Sequence, residues 1–456
     1  MKFEVLKKQH RHRILKIFMA AVPAACFCMI CFLTACHLAP RHAAPVERAE
    51  EEGDKADDGD YADEITIMHV DAGKKEFKAF LSEAEKTLNM RIHAVECPIN
   101  ADSRHARISS LLAAGDTSVD VISVNDEMIS EFKGAGYLEP LQGDVMNEET
   151  ASHFPQDYLK EMVMDGDQIY SVPYMMDILM LWVNDSYLKE AGVEDVSTPE
   201  RLRHFLSYDF GEGRYAYGGA WEKTYVYNEI GEFINLFGGD YYDWSNPKTR
   251  EAMEFLKSCV EKGYSPMEQL LDQYEQTGEK FVDGKYGLVF LYSGTMNTFA
   301  DAGVYGKDRI HLTPLPALGG RTTYVATWQY VLNKASHHKD AARRFLAYAA
   351  SPEGSKSYAE KMKRMPARED VIWEENFDFP GYEEMRNYLR SASLQARPIP
   401  KNPMQYISDL GTLFQRYVTG EMELEEFCQR MQQMVDENMG DVKAESADKE
   451  AANKKQ

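Results

Sequence analysis

The sequence predicts an α/β fold built on parallel strands, with helices packed on both faces of the sheet. Strand and helix signals alternate from residue 65 onward, in the order strand, helix, strand, helix, strand. This order makes neighbouring strands parallel, because each helix returns the chain across the sheet. The length of 456 residues exceeds what one compact core accommodates and predicts two lobes or domains.

The first elements follow from local patterns of apolar residues. Three short runs rich in β-branched residues are predicted strands: ITIMHV (residues 65–70), RIHAV (91–95) and VDVISV (119–124). Between the first two, Phe77, Leu81 and Leu88 recur at helical spacing. Further helices are predicted within RISSLLAAGD (107–116) and EMISEFKGAGYLEPL (127–141).

The second half is mainly helical between residues 198 and 279. Strands return in YGLVFLY (286–292), RIHLTPLP (309–316) and TTYVATWQYVLN (322–333). Ser336 is the predicted cap of a helix that ends before Pro352. The last helix, LEEFCQRMQQMVDE (424–437), carries an apolar stripe along one side.

Charge and cysteine content exclude several classes of protein. A formal net charge of −23 argues against a nucleic-acid partner, which normally needs a basic face, and suits an extracytoplasmic surface. Cys97, Cys259 and Cys428 are scattered, which fits neither a disulfide framework nor a metal site, so we expect buried thiols. We expect no cofactor and no metal.

The first 36 residues have the features of a secretion signal. A lysine- and arginine-rich start precedes the apolar run IFMAAVPAACFCMICFL (residues 17–33), and LTAC (33–36) ends at Cys36. A Leu, two small residues and a Cys resemble a bacterial lipoprotein signal, in which the Cys receives lipid and becomes the new N-terminus. The alternative is a transmembrane anchor, but the run is short and Pro23 interrupts it. A lipid on Cys36 tethers a protein without spanning the membrane.

One apolar segment contains a single carboxylate. SVPYMMDILMLWVND (residues 171–185) is too short and interrupted to cross a bilayer, yet it surrounds Asp177 with large apolar side chains. A buried carboxylate needs a partner. We predict that ligand hydroxyls or water supply most of it, and that no buried Arg or Lys pairs with Asp177. Signatures of nucleotide binding, serine hydrolysis and zinc proteolysis are missing from the sequence.

Polar and aromatic residues near predicted strand ends are candidates for a binding site. Ligands of open α/β sheets bind beyond the carboxyl ends of the strands, which places Asp71 and Asp126 at one edge. Aromatic rings pack against the faces of sugars, although each is also an ordinary core residue. The aromatic candidates are Tyr174, Trp182, Trp221, Tyr225, Tyr227, Tyr241, Tyr242, Trp244, Tyr292, Trp328 and Tyr330.

Five blocks, in order, resemble those of the extracellular solute-binding proteins of family 1, the lipid-anchored receptors of carbohydrate ABC importers. The blocks are SVDVISVNDEMISEFKGAGYLEPL (residues 118–141), GDQIYSVPYMMDILMLWVNDSYLKEAGV (166–193), FVDGKYGLVFLYSG (281–294), LTPLPALGG (312–320) and AARRFLAYAASPEGSKSYAEKMKRMP (341–366). The resemblance covers nearly all of residues 64–440.

The resemblance implies a two-lobed periplasmic-binding-protein fold of type II, whose lobes are joined by crossover strands and hold the ligand between them. The implied domains are a signal peptide (1–35), a disordered tether (36–63), an N-lobe (64–176 plus 314–348), a C-lobe (177–313 plus 349–440) and a disordered tail (441–456).

The resemblance also implies which residues meet the ligand. Asp126 follows the third strand, and Asp177 lies four residues after Pro173, where relatives place polar groups that face the ligand. Thr295 stands where relatives often have a Trp, so Trp328 is the expected replacement ring. Arg368 reaches the rim or, alternatively, forms a surface ion pair. The full expected set is Asp71, Asp126, Tyr174, Asp177, Trp221, Tyr225, Tyr292, Ser293, Thr295, Trp328 and Arg368.

The expected function is therefore non-enzymatic capture of a carbohydrate, such as an oligosaccharide, and its delivery to an ABC permease. The protein is expected to act as a monomer, anchored outside the cell membrane through Cys36. One alternative is a lipid-anchored glycoside hydrolase that uses Asp126 and Asp177. Another is the same fold with a polyamine or peptide ligand, which the many acidic residues permit.

Overall fold

The computed structural model describes residues 61–400 and 402–453. The expected signal peptide, Cys36 and most of the expected tether lie outside the described residues. Within them, no helix is both long enough and apolar enough to span a membrane.

The strands of the described chain bear out most of the runs expected from the sequence, although only Ile310–Leu312 of the run 309–316 forms a strand, and several further strands are present. In order they are β1 (Asp63–His69), β2 (Met90–Glu96), β3 (Val121–Asn125), β4 (Met164–Asp165), β5 (Gln168–Ile169), β6 (Ser171–Asn184), β7 (Tyr215–Gly218), β8 (Tyr286–Tyr292), β9 (Ile310–Leu312), β10 (Thr322–Leu332) and β11 (Ser393–Ala396).

The α-helices are distributed over both halves of the described chain. In order they are α1 (Lys75–Leu88), α2 (Ala101–Ala113), α3 (Asp126–Gly134), α4 (Glu148–Ala151), α5 (Gln156–Tyr158), α6 (Asp185–Ala191), α7 (Pro199–Ser207), α8 (Tyr227–Phe237), α9 (Pro247–Glu261), α10 (Tyr274–Val282), α11 (Met296–Asp301), α12 (Lys339–Ala350), α13 (Pro352–Met362), α14 (Glu369–Glu374), α15 (Tyr382–Ser391), α16 (Pro403–Val418) and α17 (Leu424–Asn453). One π-helical turn (Leu159–Val163) and two 3₁₀ turns (Met267–Leu271 and Ser293–Thr295) complete them.

The main sheet has the strand order β2-β1-β3-β10-β6-β8-β7, with β11 beside β10 and β9 beside β6. Strand β1 runs parallel to both β2 and β3, as the alternation of strands and helices predicts. The crossover helices α1 and α2 connect these strands. The carboxyl ends of β1 and β3 therefore lie on the same edge of the sheet.

Strand β6 joins the two lobes. Its first half pairs with β10 up to Ile178, opposite Val325, and its second half pairs with β8 from Leu179, opposite Tyr292. Successive side chains of the second half enter opposite cores: Leu179 and Leu181 face one apolar cluster, and Met180 and Trp182 face another. A strand covered on both faces has no solvent-facing side, which explains the nearly unbroken apolar run.

Three features differ from the sequence-based expectations. Helix α12 begins at Lys339 with His338 at its N-cap, not at Ser336. Helix α13 packs on α1 of the first lobe, where the rings of Tyr358 and Phe80 lie 5.3 Å apart, although residues 349–440 were expected in the second lobe. The backbone of α17 continues as helix to Asn453, into the expected disordered tail. The remaining lobe limits stay a prediction.

Candidate ligand-binding cleft

The candidate site lies where the carboxyl ends of β1 and β3 meet the crossover strands. Asp126 opens α3 directly after β3, and Asp71 follows β1 by two residues. In the sheet, Trp328 of β10 pairs with Asn125 of β3, and Ala326 pairs with Asp177 of β6. The strand pairing therefore brings these expected site residues onto one stretch of sheet at the junction of the lobes.

Asp177 is held by donors from the turn that follows β8. The Ser293 hydroxyl donates to Asp177 Oδ1 at 2.9 Å, and the backbone N–H of Gly294 donates to the same atom at 2.8 Å. Burial raises the pKa of Asp177, and these two hydrogen bonds oppose the rise. The side chain is half-buried, and no hydrogen bond among the described residues reaches its Oδ2.

The prediction for the partner of Asp177 was thus wrong for one oxygen, because protein donors satisfy Oδ1. No Arg or Lys within residues 61–400 and 402–453 forms an ion pair with this carboxylate, as expected; Arg364 and Arg397 act on its pKa only through their charge. The free oxygen remains available to a ligand.

A second carboxylate, Asp126, is completely buried and binds Arg397. The Arg397 guanidinium donates to Asp126 Oδ1, while the Tyr158 hydroxyl donates to Oδ2 at 3.3 Å. The same guanidinium donates to Glu127 Oε1 at 2.5 Å. Burial raises the pKa of Asp126 to about 6, although the charge of Arg397 lowers it. Both oxygens of Asp126 are therefore occupied by protein groups.

Asp71 also lies in an ion-pair network. Its carboxylate contacts Arg364 at 3.0 Å and Lys74 at 2.9 Å. Burial by itself raises the pKa of Asp71, but the neighbouring charges of Arg364, His69 and Lys74 hold it below its ordinary value. Asp71 is thus an ionised structural partner of two cations at the edge where it was expected.

Several aromatic candidates lie at this junction with part of their surface accessible. Trp328 is half-buried, with the Arg104 guanidinium 5.0 Å from its ring centre. The Tyr292 hydroxyl donates to Asn228 Oδ1 at 2.8 Å. Burial raises the pKa of the half-buried Tyr225 to about 12.

Ser293 and Thr295 lie in the 3₁₀ turn after β8 and are mostly buried. The hydroxyls of Thr295 and Tyr274 are 2.6 Å apart. Thr295 therefore has a structural partner, while Ser293 positions Asp177.

Trp221 must be removed from the expected set. Its side chain is fully buried in the second lobe, with its ring edge-on to Phe414 at 5.2 Å. Its indole N–H donates to Glu229 Oε2 at 2.9 Å. Packing inside one lobe leaves no face of this ring for a ligand.

Tyr174 and Arg368 also require correction. The Tyr174 ring is 2% exposed and stacks on Tyr330 at 4.1 Å, inside the first-lobe core. Arg368 is buried, not at a rim: its Nε donates to Asp370 at 2.9 Å and another nitrogen donates to the Ala350 carbonyl at 2.7 Å. The alternative of an ion pair was the correct one, although the pair is largely buried.

The sequence reasoning missed Arg397 and two of the residues that bind it. Arg397 itself comes from QARPIP after β11, where no motif marks it. The available signal was an arginine followed by two prolines, Pro398 and Pro400, in an acidic chain. Glu127 was overlooked beside Asp126, as was the Arg397 neighbour Asn228, whereas Tyr227 was among the aromatic candidates.

Within the described part of the chain, no group of three or more His, Cys, Asp or Glu side chains is arranged to hold a metal ion. The cleft residues described above offer hydrogen bonding, ion pairing and contact with aromatic rings.

The family model described as bacterial extracellular solute-binding protein matches residues 98–356, more than half of the chain. The chain belongs to this family. Bacterial extracellular solute-binding proteins serve ABC transporters outside the cytoplasm, and both the family and its structural neighbours are transport-binding proteins. The family resemblance inferred from the five blocks is confirmed.

Solved structures confirm the predicted fold of this solute-binding protein. Maltose-bound MalE3 of T. maritima is 18% identical, with a TM-score of 0.69, and the match covers 82% of this chain and 98% of that one. A solute-binding protein of Thermotoga lettingae bound with α-D-tagatose is 17% identical, with a TM-score of 0.71 and coverage of 82% and 100%. The type II two-lobed fold with a cleft between lobes is therefore shown.

A curated relative is a "probable amino-acid ABC transporter periplasmic-binding protein" of Sinorhizobium fredii. It is 22% identical over 214 residues, which are 44% of this chain and 48% of that protein. The chain thus spans about half the length of this relative.

Proposed function

We propose that this solute-binding protein captures a carbohydrate, such as an oligosaccharide, in the cleft between its lobes and delivers it to an ABC permease. The observation that carries the proposal is the half-buried Asp177, whose Oδ1 is fixed by Ser293 and Gly294 while no donor within residues 61–400 and 402–453 reaches Oδ2. A fixed carboxylate oxygen accepts hydrogen bonds from sugar hydroxyls, and bonds to a charged acceptor are the stronger kind.

The nearby Trp328 supports the same ligand class. Its ring is half-buried and lies on β10, the strand that pairs with both β3 and β6. A large apolar ring beside a carboxylate matches the two surfaces of a sugar, whose C–H face is apolar and whose hydroxyls are polar. Structural neighbours bound to maltose and tagatose support this choice.

The hydrolase alternative is less well supported. Glycoside hydrolysis needs two carboxyl groups that reach the scissile bond. Asp126 is fully buried, with Oδ1 bound to Arg397 and Oδ2 to Tyr158, so neither oxygen is free to act on a substrate. We therefore propose binding without turnover.

The amino-acid relative keeps a second ligand class open to test. We propose the carbohydrate over a polyamine or peptide because the buried acids Asp126 and Glu127 are already paired with Arg397.

We further propose that the protein acts as a monomer, anchored outside the membrane by lipid on Cys36.

A ligand screen tests the proposal. Thermal unfolding of residues 61–453 is measured with maltose, longer maltooligosaccharides, monosaccharides, amino acids, spermidine and peptides, and hits are followed by calorimetry. We expect a saturable rise in Tm with a sugar and unchanged sugar after overnight incubation. Release of shorter sugars contradicts binding without turnover, and a response to amino acids or peptides alone contradicts the carbohydrate.

A further inference from the structure

Arg397 lies buried at the junction of the two lobes. Its side chain is 4% exposed and follows β11, at the edge of β10. The guanidinium bridges the lobes: it binds Asp126 and Glu127 at the start of α3 in the first lobe, and the Tyr227 hydroxyl and Asn228 Oδ1 at the start of α8 in the second.

The groups around this guanidinium form a receptor for a cation. Besides the two carboxylates, two phenol rings face the guanidinium. Its carbon lies 5.4 Å from the centre of the Tyr227 ring and 5.8 Å from that of the Tyr292 ring. Carboxylate forks and aromatic faces are the features that bind guanidinium and ammonium groups.

Two buried polar atoms of this cluster have no hydrogen-bond partner in the part of the chain that the structure describes. Asn125 donates to Glu127 through its amide nitrogen, while its Oδ1 is buried without a hydrogen bond, as is the Nε of Arg397. The cluster therefore has more hydrogen-bonding capacity than Arg397 uses. Two buried carboxylates with a single guanidinium also leave the region acidic, so loss of the arginine would leave both acids buried without a counter-charge.

We propose that Arg397 determines the charge of the ligand: its guanidinium fills the position in which a cationic ligand would pair with Asp126 and Glu127, so the cleft accepts neutral ligands and rejects guanidinium and amine compounds. The proposal deepens the proposed function and rests on it for the identity of the neutral ligand. It makes Arg397 a specificity-determining residue, and it predicts that Arg397→Ala changes which ligand class binds.

The test uses methylguanidine as a substitute for the missing side chain. Thermal unfolding and calorimetry compare the wild type with Arg397→Ala at millimolar methylguanidine, agmatine or, as an ionic control, sodium chloride at the same ionic strength. We expect saturable stabilisation of Arg397→Ala by methylguanidine and agmatine, with affinity at least tenfold higher than for the wild type. Sodium chloride, which has neither the shape nor the hydrogen-bond donors of a guanidinium, should leave both proteins unchanged.

A matched variant separates specificity from general repair of a weakened fold. The triple variant Asp126→Asn, Glu127→Gln, Arg397→Ala lacks both acids as well as the arginine. Methylguanidine should then not stabilise the protein against thermal unfolding. If Arg397→Ala does not fold, Arg397→Gln is used, because it preserves much of the side-chain volume without the charge.

Either of two kinds of result would overturn the inference, and a further result separates it from the proposed carbohydrate function. Saturable binding of agmatine or spermidine to the wild type would show that Arg397 does not exclude cations. Equal stabilisation of the wild type and the foldable Arg397 variant, or none of either, would show that no cation receptor lies beneath it. A gain of methylguanidine binding by the variant, with no sugar bound by the wild type, would uphold this inference while refuting the carbohydrate.

Discussion

The Ser293 hydroxyl, in the turn that follows β8, makes two hydrogen bonds to β6. It donates to Asp177 Oδ1 at 2.9 Å and accepts from the backbone N–H of Ile178 at 3.1 Å. Both contacts fall at the residues where β6 changes its partner from β10 to β8. The orientation of the Asp177 carboxylate is thus tied to the geometry of the junction between the lobes.

Replacing Asp177 by Ala should weaken sugar binding without unfolding the protein. Loss of hydrogen bonds to a charged acceptor costs about 1.5–3 kcal/mol, or about tenfold to a hundredfold in Kd. Calorimetry with the best ligand of the screen measures the change. Asp301→Ala is the control, because Asp301 is an exposed aspartate at the end of α11. Equal affinity of the two variants would exclude Asp177 from the site.

Trp328→Ala should lower the affinity for sugar by about fivefold or more, since an aromatic contact adds about 1 kcal/mol beyond the area it buries. Titration of intrinsic fluorescence and calorimetry both report it. Trp373→Ala provides the matched control: this ring is 41% exposed on α14, beside Arg386 and Arg390. A loss of affinity in Trp373→Ala that matches the loss in Trp328→Ala would contradict a specific contact.

The buried Glu232 makes stability depend on pH. Burial raises its pKa from 4.5 to about 8, and burial likewise raises that of Glu229 to about 7. At pH values between the ordinary pKa of a glutamate and these raised pKa values, the folded protein binds more protons than the unfolded chain. The free energy of unfolding therefore falls as pH rises from about 5 to 8.

In the variant Glu232→Gln the side chain at this position is always neutral, so the free energy of unfolding should depend less steeply on pH. At pH 8 we expect its Tm to be about 2–4 °C higher than that of the wild type, with a smaller difference at pH 5. Scanning calorimetry across this range measures it, and the exposed Glu279→Gln serves as control. A parallel pH profile for the wild type and Glu232→Gln would contradict the prediction.

The lipid anchor is tested at residue 36. Cys36→Ala should move the protein from the membrane fraction to the medium or the periplasmic extract, because no acylated residue remains to hold it. Cys31→Ala, five residues earlier in the apolar run, should leave fractionation unchanged. Mass spectrometry of the mature N-terminus identifies the lipid. Equal membrane association of both variants would favour the transmembrane alternative.

The fold was largely predictable because its signals are local. Strand β8 has the bounds of the run YGLVFLY, and the apolar face of the last helix contains Phe427, Cys428, Met431 and Val435 as buried residues. The N-cap of α12 was less predictable, since Ser336 instead directs its hydroxyl to the buried Asp120. A competing partner 216 positions away cannot be seen in a local pattern.

The candidate site was less predictable because its partners are distant in sequence. The contact between Arg397 and Asp126 joins residues 271 positions apart, and the arginine lies in no block that the resemblance covers. Trp221 has the same local setting as a ligand-contacting ring, but its burial depends on Phe414 from a later helix. The crossover position of Asp177 could be inferred from the resemblance of the block at residues 166–193, although this position depends on the pairing of β6 with both β10 and β8.

Sharing of β6 between both lobes also sets the order in which the chain can fold. The first-lobe strand β3 pairs with β10, and Val331 lies opposite Ser171 of β6, so this sheet needs residues about 160 positions apart. As the chain emerges from the ribosome, the first lobe stays incomplete until β10 has been made. Contacts of such long range slow folding. The N-terminal lobe therefore finishes folding only after almost all strands of its C-terminal partner have been synthesised.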